Sequence, residues 1–176
     1  IYEINPYFRT ADDLKKLVKA CHDRDIWVMV DVVANHMGCL SSPGVYNNKF
    51  PFNESQYYHK NIDCGDIDPN NQTQRETCWL AQLADLNQDN DFVRSTLLSW
   101  ITDMINTYDI DGLRIDTVPY VSKDFWTEFT QASGVYTVGE VFDSNMPYAA
   151  GYQGPVSGIL NYPFFYTLRW VFQQYN

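Results

Sequence analysis

Apolar positions along the chain follow two rhythms. Leu14, Leu17, Val18 and Cys21 recur at helical spacing behind Thr10 and Asp13, which read as a capping box, so residues 11 to 23 are predicted to form an amphipathic helix. Trp27 to Val33, W-V-M-V-D-V-V, is nearly continuous in apolar residues, as expected of a parallel strand covered on both faces. Phe92, Val93, Leu97, Trp100, Ile101, Met104 and Ile105 mark a longer helix with Asp91 near its positive end. Asp111 to Val118, D-G-L-R-I-D-T-V, follows as a strand. Residues 122 to 132 read as a shorter helix, Val135 to Val141 as a strand and Gly158 to Tyr162 as a weaker one. Pro163 then opens a final helical stretch through Trp170 and Phe172. Strands and helices alternate, which is the α/β rhythm.

The rhythm breaks from Met37 to about Asn87, where turn formers cluster at Pro43-Gly44, Asn47-Asn48 and Asp68-Pro69-Asn70. A structureless loop of that length is uncommon in a compact domain, so the segment reads as a small subdomain inserted after a strand. The chain thus divides into residues 1–36, an insertion at 37–87, and a continuation at 88–176. Cys64 and Cys78 flank a polar stretch of the insertion, where a disulfide would restrain a loop that lacks its own core. Cys21 and Cys39 lie at opposite ends of a strand rising ~3.3 Å per residue and are not expected to bridge. Acceptor sequons at Asn53-Glu54-Ser55 and Asn71-Gln72-Thr73 favour a secreted protein.

Composition narrows the partners. With 45% hydrophobic and 16% aromatic residues among 176, the chain is that of a folded protein. Twelve basic residues against 22 acidic ones give a net charge of -10, with no Lys/Arg-rich run, which argues against nucleic acid and anionic membranes and leaves a neutral substrate acceptable. No apolar run reaches the ~18 residues of a membrane span. The chain opens at Ile1 with neither an initiator Met nor a signal peptide, so it reads as an internal piece of a longer one.

Alternation alone allows an open doubly wound sheet or a (β/α)8 barrel. There is no G-x-G-x-x-G and no P-loop, which weakens the nucleotide-binding sheet. Polar residues cluster instead at strand ends, Asn35 and His36 after the first, Asp116 on the second and Glu140 on the third, where barrel active sites sit. A whole barrel takes ~250 residues, so a partial TIM barrel is expected.

The stretch around Arg114 carries the candidate chemistry. On a strand, Arg114 and Asp116 share one face while Leu113, Ile115 and Thr117 share the other. Buried charges cost several kcal/mol per ion unless they pair or meet solvent or substrate, and a purely structural Arg-Asp pair is the plain alternative. If the strands of Asp116 and Glu140 are neighbours, ~4.8 Å apart, their carboxylates can approach to ~5 to 5.5 Å, the spacing of a retaining glycosidase. Asp116 would then attack the anomeric carbon, while Glu140 protonates the leaving oxygen and later activates water. Asp31 reads as a structural carboxylate bonded to nearby backbone. The 13 Tyr and 5 Trp include candidate faces for sugar rings.

D-V-V-A-N-H (Asp31 to His36), G-L-R-I-D-T-V (Gly112 to Val118) and G-E-V (Gly139 to Val141) resemble, in order and spacing, three signature regions of the α-amylase family of glycoside hydrolases, family 13, and above all its fungal secreted, Taka-type branch. T-A-D-D-L at Thr10, C-W-L at Cys78, K-D-F-W at Lys123 and L-N-Y-P at Leu160 extend the likeness over nearly the whole chain. The resemblance implies barrel strands 3 to 6, with the insertion as domain B after strand 3. It implies endo-hydrolysis of α-1,4-glucosidic bonds in starch, glycogen and maltooligosaccharides by a secreted monomer. A 4-α-glucanotransferase and a non-catalytic relative are the alternatives. It makes Asp116 the nucleophile, Glu140 the acid/base and Arg114 the orienting cation, with His36 and Asp143 as further substrate-binding residues. It also implies a structural Ca2+ held by the side chains of Asn35 and Asp85 and by backbone oxygens of Glu76 and Tyr120, ligands that suit a hard cation.

Two departures stand out. Pro119-Tyr120 replaces the family's Lys-His on the leaving-group side, and L-A-D-L at Leu83 replaces L-P-D-L. The family's third carboxylate, on strand 7, has no counterpart before the chain ends, so the 176 residues alone are expected to be inactive and poorly stable.

Overall fold

A computed structural model describes residues 1–42, 44–60 and 64–173. Helix α1 (Ala11–His22) begins where the capping box places it: Asp13 N donates to Thr10 Oγ1 and Thr10 N to Asp13 Oδ2, both at 3.2 Å. Strand β1 (Met29–Val32) follows, then the two-residue strand β2 (His36–Met37), helix α2 (Gln72–Thr77) and strand β3 (Ala84–Asp85). After them come α3 (Asp91–Tyr108), β4 (Gly112–Ile115), α4 (Lys123–Ser133), β5 (Tyr136–Gly139), α5 (Met146–Ala150), β6 (Gly158–Ile159) and α6 (Tyr162–Gln173).

The main sheet runs β1-β4-β5-β6, all parallel, and β2 pairs antiparallel with β3. Parallel neighbours need crossovers, which α3 and α4 supply, and these two helices pack against each other. Leu97 and Ile101 from α3, Phe125, Trp126 and Phe129 from α4, and Leu113 and Ile115 from β4 are all buried and form one apolar layer on that side of the sheet. This is the α/β arrangement expected, with strands cut to the lengths that pairing supports.

The opposite face of the sheet is polar. In register, Asp31 lies beside Arg114 and Arg114 beside Val138, so Met29, Asp31, Arg114, Asp116 and Glu140 share this side. The expectation that β1 is covered on both faces fails here: Met29 is 48% and Val33 38% exposed, because helices cover only the face that carries Val32. The strand through Asp111 to Val118 also ends early. Thr117 turns into the left-handed region at φ 53° and opens the 3-10 turn Val118–Tyr120, so it does not continue the face of Leu113 and Ile115.

Residues 37–87 carry more internal packing than a loop-rich reading suggests. Tyr46, Phe52, Tyr58, Trp79 and Leu86 are buried, the Tyr46 and Tyr58 rings stack at 4.7 Å, and Trp79 Nε1 donates to His59 O at 2.8 Å. Aromatic residues scattered in sequence thus share one core, which no periodicity announces. Cys64 and Cys78 are disulfide-bonded as expected, and Cys21 and Cys39 are free thiols.

Candidate active site

The register decides which groups meet. Ile115 pairs with Gly139, so the next residues, Asp116 and Glu140, leave the carboxyl ends of adjacent strands side by side. Glu140 N donates to Ile115 O at 2.7 Å and Val118 N to Glu140 O at 3.1 Å, which carries the pairing past the strand ends. Gly139 permits this closeness: a Cβ there would lie 2.9 Å from Val118 Cγ2 and 3.2 Å from Val156 Cγ2.

Arg114 sits among three carboxylates. Its Nη1 lies 2.6 Å from Asp116 Oδ1 and 2.9 Å from Asp31 Oδ1, and its Nη2 lies 3.1 Å from Glu140 Oε2. Burial would lower the Arg114 pKa, but the bonds to Asp116 and Asp31 outweigh it and raise it, so the guanidinium is a fixed cation. One expectation is corrected by this geometry. Asp31 is bonded to the Arg114 side chain, not to backbone, because the β1–β4 register puts the two on one face. Arg114 meets Asp116 on the shared face, and its planar fork reaches Glu140 as well, so it spans both candidate catalytic groups.

Glu140 has further partners. Thr117 N donates to Oε2 at 3.2 Å and Tyr162 Oη to Oε1 at 3.3 Å. The Thr117 amide points there because of its left-handed backbone, a conformation uncommon for a β-branched residue. Tyr162 stays a hydroxyl, since burial and the Glu140 charge both raise its pKa. Neither contact is evident from residue type alone, although Tyr162 lies within the L-N-Y-P stretch.

His36 reaches the same region from β2. Burial lowers its imidazole pKa, partly countered by the charge of Asp116. Asp143 lies close by but is already engaged: Arg75 Nη2 donates to its Oδ2 at 2.8 Å and Asn145 N to its Oδ1 at 2.8 Å. Arg75, buried and with its guanidinium 4.7 Å above the Tyr148 ring, thereby ties α2 to the loop after Glu140. Between these segments opens a cleft of about 660 Å³ lined by Arg75, Asp143, Tyr120, Phe142, Tyr166 and Trp170. Sequence reasoning missed Arg75, because a lone Arg in a six-residue helix carries no pattern.

Three of the residues singled out for a metal, Asn35, Asp85 and Tyr120, form a second cluster next to His36. Asn35 and Asp85 are each 1% exposed, and the Asn35 side chain faces Tyr120 O at 2.8 Å and Asp85 Oδ1 at 3.2 Å. Glu76 stands in α2, which packs on the Val118–Tyr120 turn, and its side chain accepts from Gln72 Nε2 at 2.6 Å. Burial pushes the Asp85 pKa up to about 6, against the 2.6 Å contact of Oδ2 with His59 Nδ1, so its charge is only partly compensated. Among the described residues no group of three or more His, Cys, Asp or Glu is arranged to hold a metal ion, and the donor set here is one carboxylate with amide and main-chain oxygens. Such a set fits a hard cation and does not suit a soft one.

The comparisons with known proteins agree with this layout. The "Alpha amylase, catalytic domain" family matches residues 1–175. "Alpha-amylase 1" of Lipomyces kononenkoae is 42% identical over 180 residues, covering 99% of this chain and 28% of that protein. "Alpha-amylase" of Saccharomycopsis fibuligera is 42% identical over 172 residues, 94% of this chain and 34% of its own length. The solved α-amylase of Malbranchea cinnamomea superposes with a TM-score of 0.86 at 39% identity over 94% of this chain and 36% of its own. The chain therefore spans about a third of the length of the relatives it matches. A parallel sheet with two carboxylates and an arginine at its carboxyl edge, matched by this family over its whole described length, makes the chain a member of the α-amylase catalytic-domain family.

Proposed function

We propose that the protein carrying this chain hydrolyses internal α-1,4-glucosidic bonds of starch-like glucans with retention of configuration. The observation that carries the reading is the side-by-side placement of Asp116 and Glu140 on one arginine. Asp116, held by Arg114 at 2.6 Å, attacks the anomeric carbon, and Glu140 gives a proton to the departing oxygen before taking one from water. The Tyr162 hydroxyl can donate to the ionised Glu140 or accept from the protonated one, so it serves both half-reactions. His36 hydrogen-bonds the sugar being cleaved. Asp143 acts on substrate through the cleft it shares with Arg75, whose aromatic walls accept glucose rings of the leaving group.

Asn35, Asp85, Tyr120 and Glu76 would hold a calcium ion, which supplies charge neutralisation and a cross-link between the 37–87 segment, read as domain B, and the barrel. Exposed Asn53 and Asn71 would accept glycans, consistent with a secreted monomer. Tyr120 in the cleft, where the resemblance leads one to expect a charged or imidazole side chain, supports a second reading, glucanotransferase activity, because an apolar wall favours a sugar acceptor over water.

The complete protein decides between these. With a blocked maltooligosaccharide, Asp116→Asn and Glu140→Gln are each expected to lower kcat at least about a thousandfold, and NMR of fresh product should show the α-anomer. β-Anomer, or activity untouched by either substitution, refutes the reading. Products longer than the substrate establish transfer.

A further inference from the structure

The Asn35 amide connects the proposed cation site to His36, and it can do so in two ways. With Oδ1 toward Tyr120 O and Asp85 Oδ1, three oxygens converge, those of Asn35 and Asp85 on buried side chains, and Nδ2 lies 3.1 Å from His36 Nδ1. Three acceptors facing one another need a cation between them. With the amide turned over, Nδ2 donates to Tyr120 O at 2.8 Å and to Asp85 Oδ1 at 3.2 Å, and Oδ1 accepts from His36 Nδ1 at 3.1 Å. This second arrangement satisfies every group without a cation.

Each orientation dictates where the single proton of a neutral imidazole resides. An Asn35 N–H pointing at His36 Nδ1 requires a lone pair there, which leaves the proton on Nε2 as a hydrogen-bond donor. An Asn35 oxygen at the same place requires the proton on Nδ1, which leaves Nε2 an acceptor. We infer that Asn35 is a positioning residue that couples cation occupancy to the His36 tautomer, so that His36 presents a donor to the sugar only when the cation is held. The inference rests on the proposal that a cation binds among Asn35, Asp85 and Tyr120. It adds that one side-chain amide transmits its presence to the substrate.

The test uses the complete catalytic domain, labelled with 15N-histidine and stripped of metal, at about pH 8, above the ordinary imidazole range. His36→Gln assigns the resonances, and Ca2+ alone is titrated in while calorimetry follows binding. The expected result is exchange of the pyrrole-like and pyridine-like 15N shifts between Nδ1 and Nε2 of His36 as Ca2+ binds. Asn35→Asp separates the two functions, since it keeps a ligand oxygen but has no N–H. Ca2+ should still bind this variant, His36 should stay protonated on Nδ1 in its presence, and maltooligosaccharide affinity should fall about fivefold or more. Ca2+ binding with no change of tautomer in the unsubstituted protein overturns the coupling and leaves the cation site standing. No binding of Ca2+ overturns the cation site and the coupling with it.

Discussion

Arg114 holds together groups that would otherwise repel. Asp31, Asp116 and Glu140 all lie within 3.1 Å of its guanidinium, and removing the fork leaves like charges side by side in a half-buried place. Lysine keeps the charge but offers one compact ammonium, unable to span Asp116 and Glu140 from separate nitrogens. Arg114→Lys in the complete protein is therefore expected to lower kcat about a hundredfold while the circular dichroism spectrum is preserved, since a small misplacement of reacting groups is enough for that loss. Wild-type kcat in that variant would show that the bidentate geometry is unimportant. At this scale much was legible. The D-G-L-R-I-D-T-V pattern singles out Arg114 and Asp116, and strand alternation puts them on one face. Tyr162 and the Thr117 amide were not legible as partners of Glu140, because each reaches it through a turn that strand periodicity does not foresee.

Among elements, the amino-terminal ends of the strands carry a charge-linked junction remote from the site. His22, at the end of α1, faces Asp111 Oδ2 at 2.9 Å and Asp109 Oδ2 at 3.3 Å, and Asp111 Oδ2 also accepts from Val28 N at 2.6 Å. The bond to Asp111 raises the His22 pKa, and the bond from Val28, then that from His22, lowers the Asp111 pKa. The sign follows from linkage. A raised histidine pKa stabilises the fold fully below its unfolded value of about 6.5, and that contribution disappears as pH rises through the higher folded value. The depressed Asp111 pKa stabilises above about 3.9 and loses its contribution as pH falls through the lower folded value. Urea midpoints measured from pH 5 to 9 should thus fall toward alkaline pH, and His22→Gln should flatten that slope. An unchanged slope would remove His22 as its source. Element positions were largely readable, because caps and apolar spacing are local: Thr10 with Asp13, and Asn90 ahead of α3, start their helices where the pattern suggests. The aromatic core of residues 37–87 was not, since its members meet only after long loops close.

At the scale of the whole molecule, the segment leading into β1 and the helix α6 leave large apolar side chains open. Trp27 is 85%, Trp170 65% and Phe172 72% exposed, which is unusual for a self-sufficient surface. Residues 1–176 expressed alone are expected to associate and to bind a hydrophobic dye. Sedimentation velocity showing a monomer with no dye binding would contradict this. The Cys64–Cys78 disulfide ties residues 37–87 internally, and the Arg75–Asp143 pair links that segment to the loop after Glu140.

By itself the sequence determined the alternation of elements, the family, and which carboxylates and which arginine are candidates for the site, because helix spacing, strand alternation and short motifs are local properties. Only the tertiary structure decided that Asp116 and Glu140 stand level, that one guanidinium serves both, that Asp143 is claimed by Arg75, and that Asn35 faces Tyr120 and Asp85 on one side and His36 on the other. Those relations depend on register between strands and on loops folding back across 30 residues or more. Such distances are set by packing and pairing, which no local stretch encodes.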